Sequence, residues 1–262
     1  MARQKGLIKL EGTIGDMTFY KGNGVGGKKE YLVKTPGGVS AERIASDPAF
    51  ARTRENNSEF GRAARYGKLI RKGLAPVFSA VGNSSAAARF TQLMRKEISK
   101  DTANPRGERV VENVALSTLN GIELNDSSIL SQVLGQNITV TRAVDDLLLK
   151  VGNSPIVPLQ PADVMYPQGA THVHFSVHFM AIDLATEQVK AVNSFDMGRF
   201  PVNAPNAIGD PNFDFLSNAD IAVGDAYLLV FLVQFEQVVN GIYYSLNNDL
   251  YKPARVVAAG VK

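Results

Sequence analysis

The chain of 262 residues contains no cysteine and no tryptophan, and only three histidines. Without cysteine it can build no disulfide framework, no thiolate nucleophile and no thiolate metal site. The absence of tryptophan weighs against a carbohydrate-binding sandwich, which needs an aromatic platform. The longest apolar run, Ala226 to Val233, has 8 residues, against the roughly 20 needed to cross a bilayer; no membrane partner is expected. The N-terminus, Met1-Ala-Arg-Gln-Lys-Gly-Leu-Ile-Lys-Leu-Glu11, carries positive charge with no apolar stretch behind it. It is therefore no Sec signal, and synthesis in the cytoplasm is expected. The final location stays open, an assembled or released particle included.

What is present is an ordinary globular composition, 45% hydrophobic and 20% charged. The net charge of +3 conceals an asymmetry. Residues 1–110 hold 21 Lys and Arg against 10 Asp and Glu, whereas residues 111–262 hold 7 against 15, so the two parts carry +11 and −8. Such a split fits a nucleic-acid-facing N-terminal half. It equally fits contact between basic and acidic faces of identical subunits.

Residues 7–34 read as a β-hairpin. Leu7, Ile8 and Leu10 lead into a β-rich stretch with Ile14, Met17, Phe19 and Tyr20, and Lys29 to Lys34, with Tyr31 and Val33, gives the returning strand. The loop between them, Gly22-Asn-Gly-Val-Gly-Gly27, matches G-x-G-x-x-G, but a dinucleotide site needs a helix after the loop and a strand follows instead. Thr35-Pro-Gly-Gly38 is a turn. Asp47-Pro48 then opens a basic helix as N-cap and first-turn proline. Arg52, Arg54, Arg62, Arg65, Lys68, Arg71 and Lys72 punctuate it, Gly61, Gly67 and Gly73 weaken it, and Pro76 ends or kinks it. Ala86 to Lys100 has helical apolar spacing and forms a second helix. From Val110 the pattern changes to short strands: Val110–Leu119, Ile129–Val133, Ile138–Arg142, Leu147–Val151, His172–Asp183, Gln188–Phe195, Ala226–Gln237, Ile242–Leu246 and Ala254–Ala258. Asn240-Gly241 is a strong hairpin turn. The expected fold class is α+β: an N-terminal β-hairpin arm (1–38), two basic helices (39–109) and an antiparallel β-sandwich (110–262).

All three histidines fall in one strand, Thr171-His-Val-His-Phe-Ser-Val-His178. Period two sets His172, His174 and His178 on one face and Val173, Phe175, Val177 and Phe179 on the other. His172 and His174 form a candidate metal pair through neutral imidazoles; a polar sheet face or subunit interface is the plainer reading. Asp210-Pro-Asn-Phe-Asp214 begins like a calcium loop, but Phe215 and Ile221 replace the required Gly and Glu. Asp145-Asp146 is adjacent only in sequence. No nucleophile elbow, P-loop or zinc-protease motif occurs, and the chain reads as a non-enzyme with no cofactor.

Two stretches, Gly6-Leu-Ile-Lys-Leu-Glu-Gly-Thr-Ile-Gly-Asp-Met-Thr-Phe-Tyr-Lys21 and Ile44-Ala-Ser-Asp-Pro-Ala-Phe-Ala-Arg-Thr-Arg-Glu-Asn56 with Glu59-Phe-Gly61, resemble an uncharacterised family of Bacteroidota proteins. The resemblance covers about the first 75 residues. It implies a basic N-terminal hairpin joined to a β-rich C-terminal domain, and a bacterial origin. It implies no activity.

Together these features favour a structural subunit that assembles with itself into a filament, tube or shell, a phage-like particle among them. Its arm and its basic and acidic faces would be the contacts. The alternative is a sequence-independent nucleic-acid binder using the seven basic side chains named above.

Overall fold

The computed structural model describes the chain apart from residues 1, 7, 24–27, 36, 83–84, 135–137, 143–146, 152–163, 203–211, 215–220 and 247–248. The fold is α+β, with helices and antiparallel sheets. It divides into two compact units, Met1–Arg54 and Glu55–Lys262.

The first unit holds strands β1 (Ala2–Arg3), β2 (Gly12–Ile14), β3 (Met17–Asn23) and β4 (Lys29–Lys34), in the antiparallel order β1-β4-β3-β2. The hairpin expected from sequence is β3–β4, enlarged by a short strand on each edge. Ser40 caps helix α1 (Ala41–Ser46) by accepting from the Arg43 amide. Asp47 caps a 3₁₀ turn at Pro48–Phe50 that runs directly into helix α2 (Ala51–Gly73). Pro76 does not kink this helix but starts the next, α3 (Ala75–Val81), where a missing amide proton costs nothing. Helix α4 (Ala86–Ile98) follows.

In the second unit a five-stranded antiparallel sheet carries the architecture. Strand β10 (Asp225–Val239) pairs from Asp225 to Glu236 with the whole of β7 (His172–Asp183). Its other edge pairs first with β12 (Ala254–Val261) and then, through the Asn240-Gly241 turn, with β11 (Ile242–Ser245). Both turn residues have positive φ, as a type I′ hairpin requires. Strand β8 (Gln188–Pro201) flanks β7. The unbroken run Ala226–Val233 is explained by this position, because β10 is covered on both faces as well as both edges. Even-numbered residues Met180, Ile182, Leu228, Val230 and Leu232 meet Ile70, Leu74, Phe90, Met94 and Ile98 of the helices. Odd-numbered residues Phe175, Val177, Phe179, Leu229, Phe231 and Phe235 form a second cluster on the opposite face. A bulge at Leu229/Val230 shifts the phase of β12, so that Val256 and Ala259 both join the helical side.

Two expected strands are corrected. Val110–Leu119 is a loop ending in a 3₁₀ turn at Ser117–Leu119. Its Val111, Val114, Leu116 and Leu119 are buried against the helices, but its backbone is held by carboxylates instead of a ladder. Asp101, 1% exposed, accepts from the amides of Ala103 (2.9 Å) and Val110 (3.0 Å) and from the side-chain amides of Asn104 (2.9 Å) and Asn113 (3.2 Å). These donors hold its pKa well below the usual carboxylate range. Buried Glu97 accepts from the Thr118 amide. Ile129–Val133 is replaced by helix α5 (Leu130–Leu134), which buries Leu130, Val133 and Leu134 at spacings of three and four. Strands β5 (Ile138–Arg142), β6 (Leu147–Val151) and β9 (Asn212–Asp214) form a separate antiparallel sheet in the order β5-β6-β9. Asp145-Asp146, most of the glycine loop, and Asp210 and Phe215 of the calcium-like motif lie outside the described residues.

Candidate functional site

The N-terminal sheet has two unlike faces. Register fixes them, because directly paired residues of antiparallel strands share a face. Ile14 pairs with Met17, Phe19 with Val33 and Lys21 with Tyr31, which places Ile14, Met17, Phe19, Tyr31 and Val33 together with Ala2. Tyr20 stands on the other face with Leu32, beneath the Lys34 ammonium at 5.4 Å. Five of the six arm residues singled out by sequence therefore share one face with Lys21, whose ammonium stands 5.4 Å over the Tyr31 ring, and Tyr20 is the exception. Ile14 is 60% exposed and Met17 48%. A hollow of about 710 Å³ opens beside Met17 and Val33. Among the described residues of Met1–Arg54, Leu32 alone is buried.

The seven basic residues of the helical segment do not act as one group. Arg54 donates to the carbonyls of Ile44 (2.7 Å) and Asp47 (2.9 Å). Arg62 donates to the carbonyl of Gly107 and so fastens the loop after α4. Arg65 grips Glu187 with two donors at 2.8 and 3.1 Å. Arg52, Lys68 and Lys72 are exposed. Arg71 lines a groove between α2 and α4 with Phe60, Ala64, Thr91 and Arg95.

The histidine strand behaves as the alternation requires, yet its histidines have separate partners. His172 contacts the Thr171 hydroxyl (3.0 Å) and meets the Tyr243 ring edge-on. His174 bonds Asp196 at 2.8 Å and lies 3.8 Å from Glu236, which Arg199 also holds at 2.7 Å. His178 sits between the hydroxyls of Ser176 (3.1 Å) and Ser194 (2.8 Å). Burial, with His174 nearby, lowers its pKa, so this imidazole is neutral at physiological pH. His174, Ser176, His178, Ser194, Asp196 and the buried Lys252 line a cleft of about 540 Å³ beside Ser79 and Ala80 of α3. Among the described residues no Ser-His-Asp relay forms, because the serine-bonded imidazole is His178 and the aspartate-bonded one is His174. Among the described residues, no cluster of three or more His, Asp or Glu side chains is placed to hold a metal ion.

No family model, curated protein or solved structure matches the chain. No helix among the described residues is long and apolar enough to cross a membrane. Sequence reading did not pair His174 with Asp196, Arg199 and Glu236, since strand pairing across distant segments brings them together. It also passed over Arg95 and Lys96, although the absence of acid from Ala86 to Lys96 was a visible signal.

Proposed function

We propose that this chain is a non-enzymatic structural subunit that assembles with further copies of itself through its N-terminal sheet. The observation that carries this reading is the largely apolar face built from Ile14, Met17, Phe19, Tyr31 and Val33, in a unit with one buried side chain among its described residues. Small sheets need a covered face to be stable, and contiguous exposed apolar surface marks interaction sites. The occupant is a second copy, whose identical sheet offers a matching apolar surface. Contact of unlike faces between successive copies would instead yield rings or open filaments. The second unit is the rigid body of the subunit. We take β5-β6-β9, which runs near β12, as the second layer of a β-sandwich. The contact is assigned to the sheet in preference to the acidic side chains, because Glu187, Asp126, Asp225 and Glu236 are already ion-paired within the chain.

Negative-stain microscopy of the purified protein, with light scattering at low and high salt, tests this reading. Regular polymers or closed oligomers that persist in high salt are the expected result, since apolar contact is not screened. A monodisperse monomer at every salt concentration overturns it.

A further inference from the structure

The outward side of α2 and α4 is chemically distinct from everything around it. From Phe60 to Gly73 and from Ala86 to Lys96 the two helices carry eight Lys and Arg and no Asp or Glu. Three of the eight are engaged within the chain: Arg62 with the Gly107 carbonyl, Arg65 with Glu187 and Arg89 with Asp126. Lys68, Arg71, Arg95 and Lys96 have no carboxylate within ion-pair distance among the described residues. Arg71 and Arg95 face each other across the groove between the helices, a space of about 530 Å³ lined also by Ala64, Ala88, Thr91 and Gln92. At its end stands Phe60, 53% exposed, a position where a solvated helix gains nothing from an aromatic ring.

We propose that this groove binds single-stranded nucleic acid, without sequence preference. Arg71, Arg95, Lys68 and Lys96 would meet phosphates, and the Phe60 ring would stack on a base, the combination by which such sites work. The helices themselves are fixed, since Gly67 lets α2 approach the backbone of α4: a methyl group there would lie 3.1 Å from the Thr91 nitrogen. The groove is thus pre-formed. An acidic protein segment would satisfy the four charges but gives Phe60 no role. Glu187, Asp126, Asp225 and Glu236 of a second copy are also occupied by its own arginines and lysines.

The test is fluorescence anisotropy of a labelled oligothymidylate of about 20 nucleotides with the full chain, spanning the site sizes typical of such binders. Four phosphate contacts at roughly 0.7 counterions each predict a log–log salt slope of about −3, a loss on the order of a hundredfold between about 50 and about 250 mM salt. Arg71→Gln with Arg95→Gln should flatten that slope by about half, and Phe60→Ala should weaken binding at least about fivefold with the slope unchanged. Both sets of positions are exposed or half-exposed, so melting curves should match wild type and separate lost binding from lost folding. A wild-type chain that leaves the anisotropy flat overturns the proposal. So does unchanged binding by the double variant. So does a polyglutamate peptide that competes as well as the oligonucleotide, the outcome expected of a protein-docking groove.

Discussion

The two units of this chain solve the same problem in opposite ways. In Glu55–Lys262 the long strands β7 and β10 are closed in on both faces, and even the connecting loop after α4 buries four apolar side chains. In Met1–Arg54 the four-stranded sheet has one buried residue, Leu32, among the described residues. The difference lies in what each sheet has to lean on. The body sheet is layered between helices and a second apolar cluster, whereas the four-stranded N-terminal sheet has edge strands of two and three residues and leaves Ile14 and Met17 exposed. On the proposed reading stability and assembly are housed separately, and substitutions should affect one without the other.

The largest effect is expected in the body. Phe231→Ala empties a site that is fully enclosed between β7 and β12 and should cost about 3–5 kcal/mol in urea unfolding. A loss under about 1 kcal/mol would mean that the sheet is not the core. Asp101→Asn comes next. The depressed folded pKa means that the carboxylate contributes stability above its unfolded value near 3.8, lost as the pH falls through the folded one. The variant should melt below wild type at pH 7, and the gap should close in strong acid.

A third comparison uses two glycines of the same helix. A methyl group at Gly61 meets nothing within 4 Å, so Gly61→Ala should stabilise by about 0.5–1 kcal/mol through helix propensity. Gly67→Ala should destabilise by about 1–3 kcal/mol, because α4 backbone stands in the way. Equal signs for the two would refute the close helix crossing. The smallest effect concerns Glu123. Burial pushes its pKa up to about 7, against the Leu130 amide, Arg255 and Arg89, which favour the charged form. Its folded value exceeds the unfolded one, so its stabilising protonated form is lost as the pH rises from about 4.5 through 7. Glu123→Gln should therefore raise the melting temperature at pH 8 and leave it nearly unchanged at pH 4.5.

How much of this was legible in the sequence follows from where the controlling contacts lie. Local signals carried well: Asp47 as a cap, Asn240-Gly241 as a turn, and the one-sided histidines of β7, whose alternation the register preserves. Val110–Leu119 misled because its apolar residues satisfy the helices while Asp101 and Glu97, distant from any strand, take its amide protons. Leu130, Val133 and Leu134 had helical spacing all along, but the segment is too short for composition to distinguish helix from strand. The face of Tyr20 depended on the pairing register, and the partners of His174 on strand neighbours more than twenty residues away. The split of the basic side chains into loop clamps and groove lining was invisible for the same reason, since Gly107 and Glu187 lie far along the chain.

The central claim is that the N-terminal sheet, and not the body, holds copies together. Sedimentation velocity of the wild-type chain beside the Ile14→Lys, Met17→Lys double variant tests it most directly. Both positions are exposed, so the variant should keep the wild-type melting transition while its oligomers collapse to a single monomeric species. A variant that assembles as the wild type does would contradict the account.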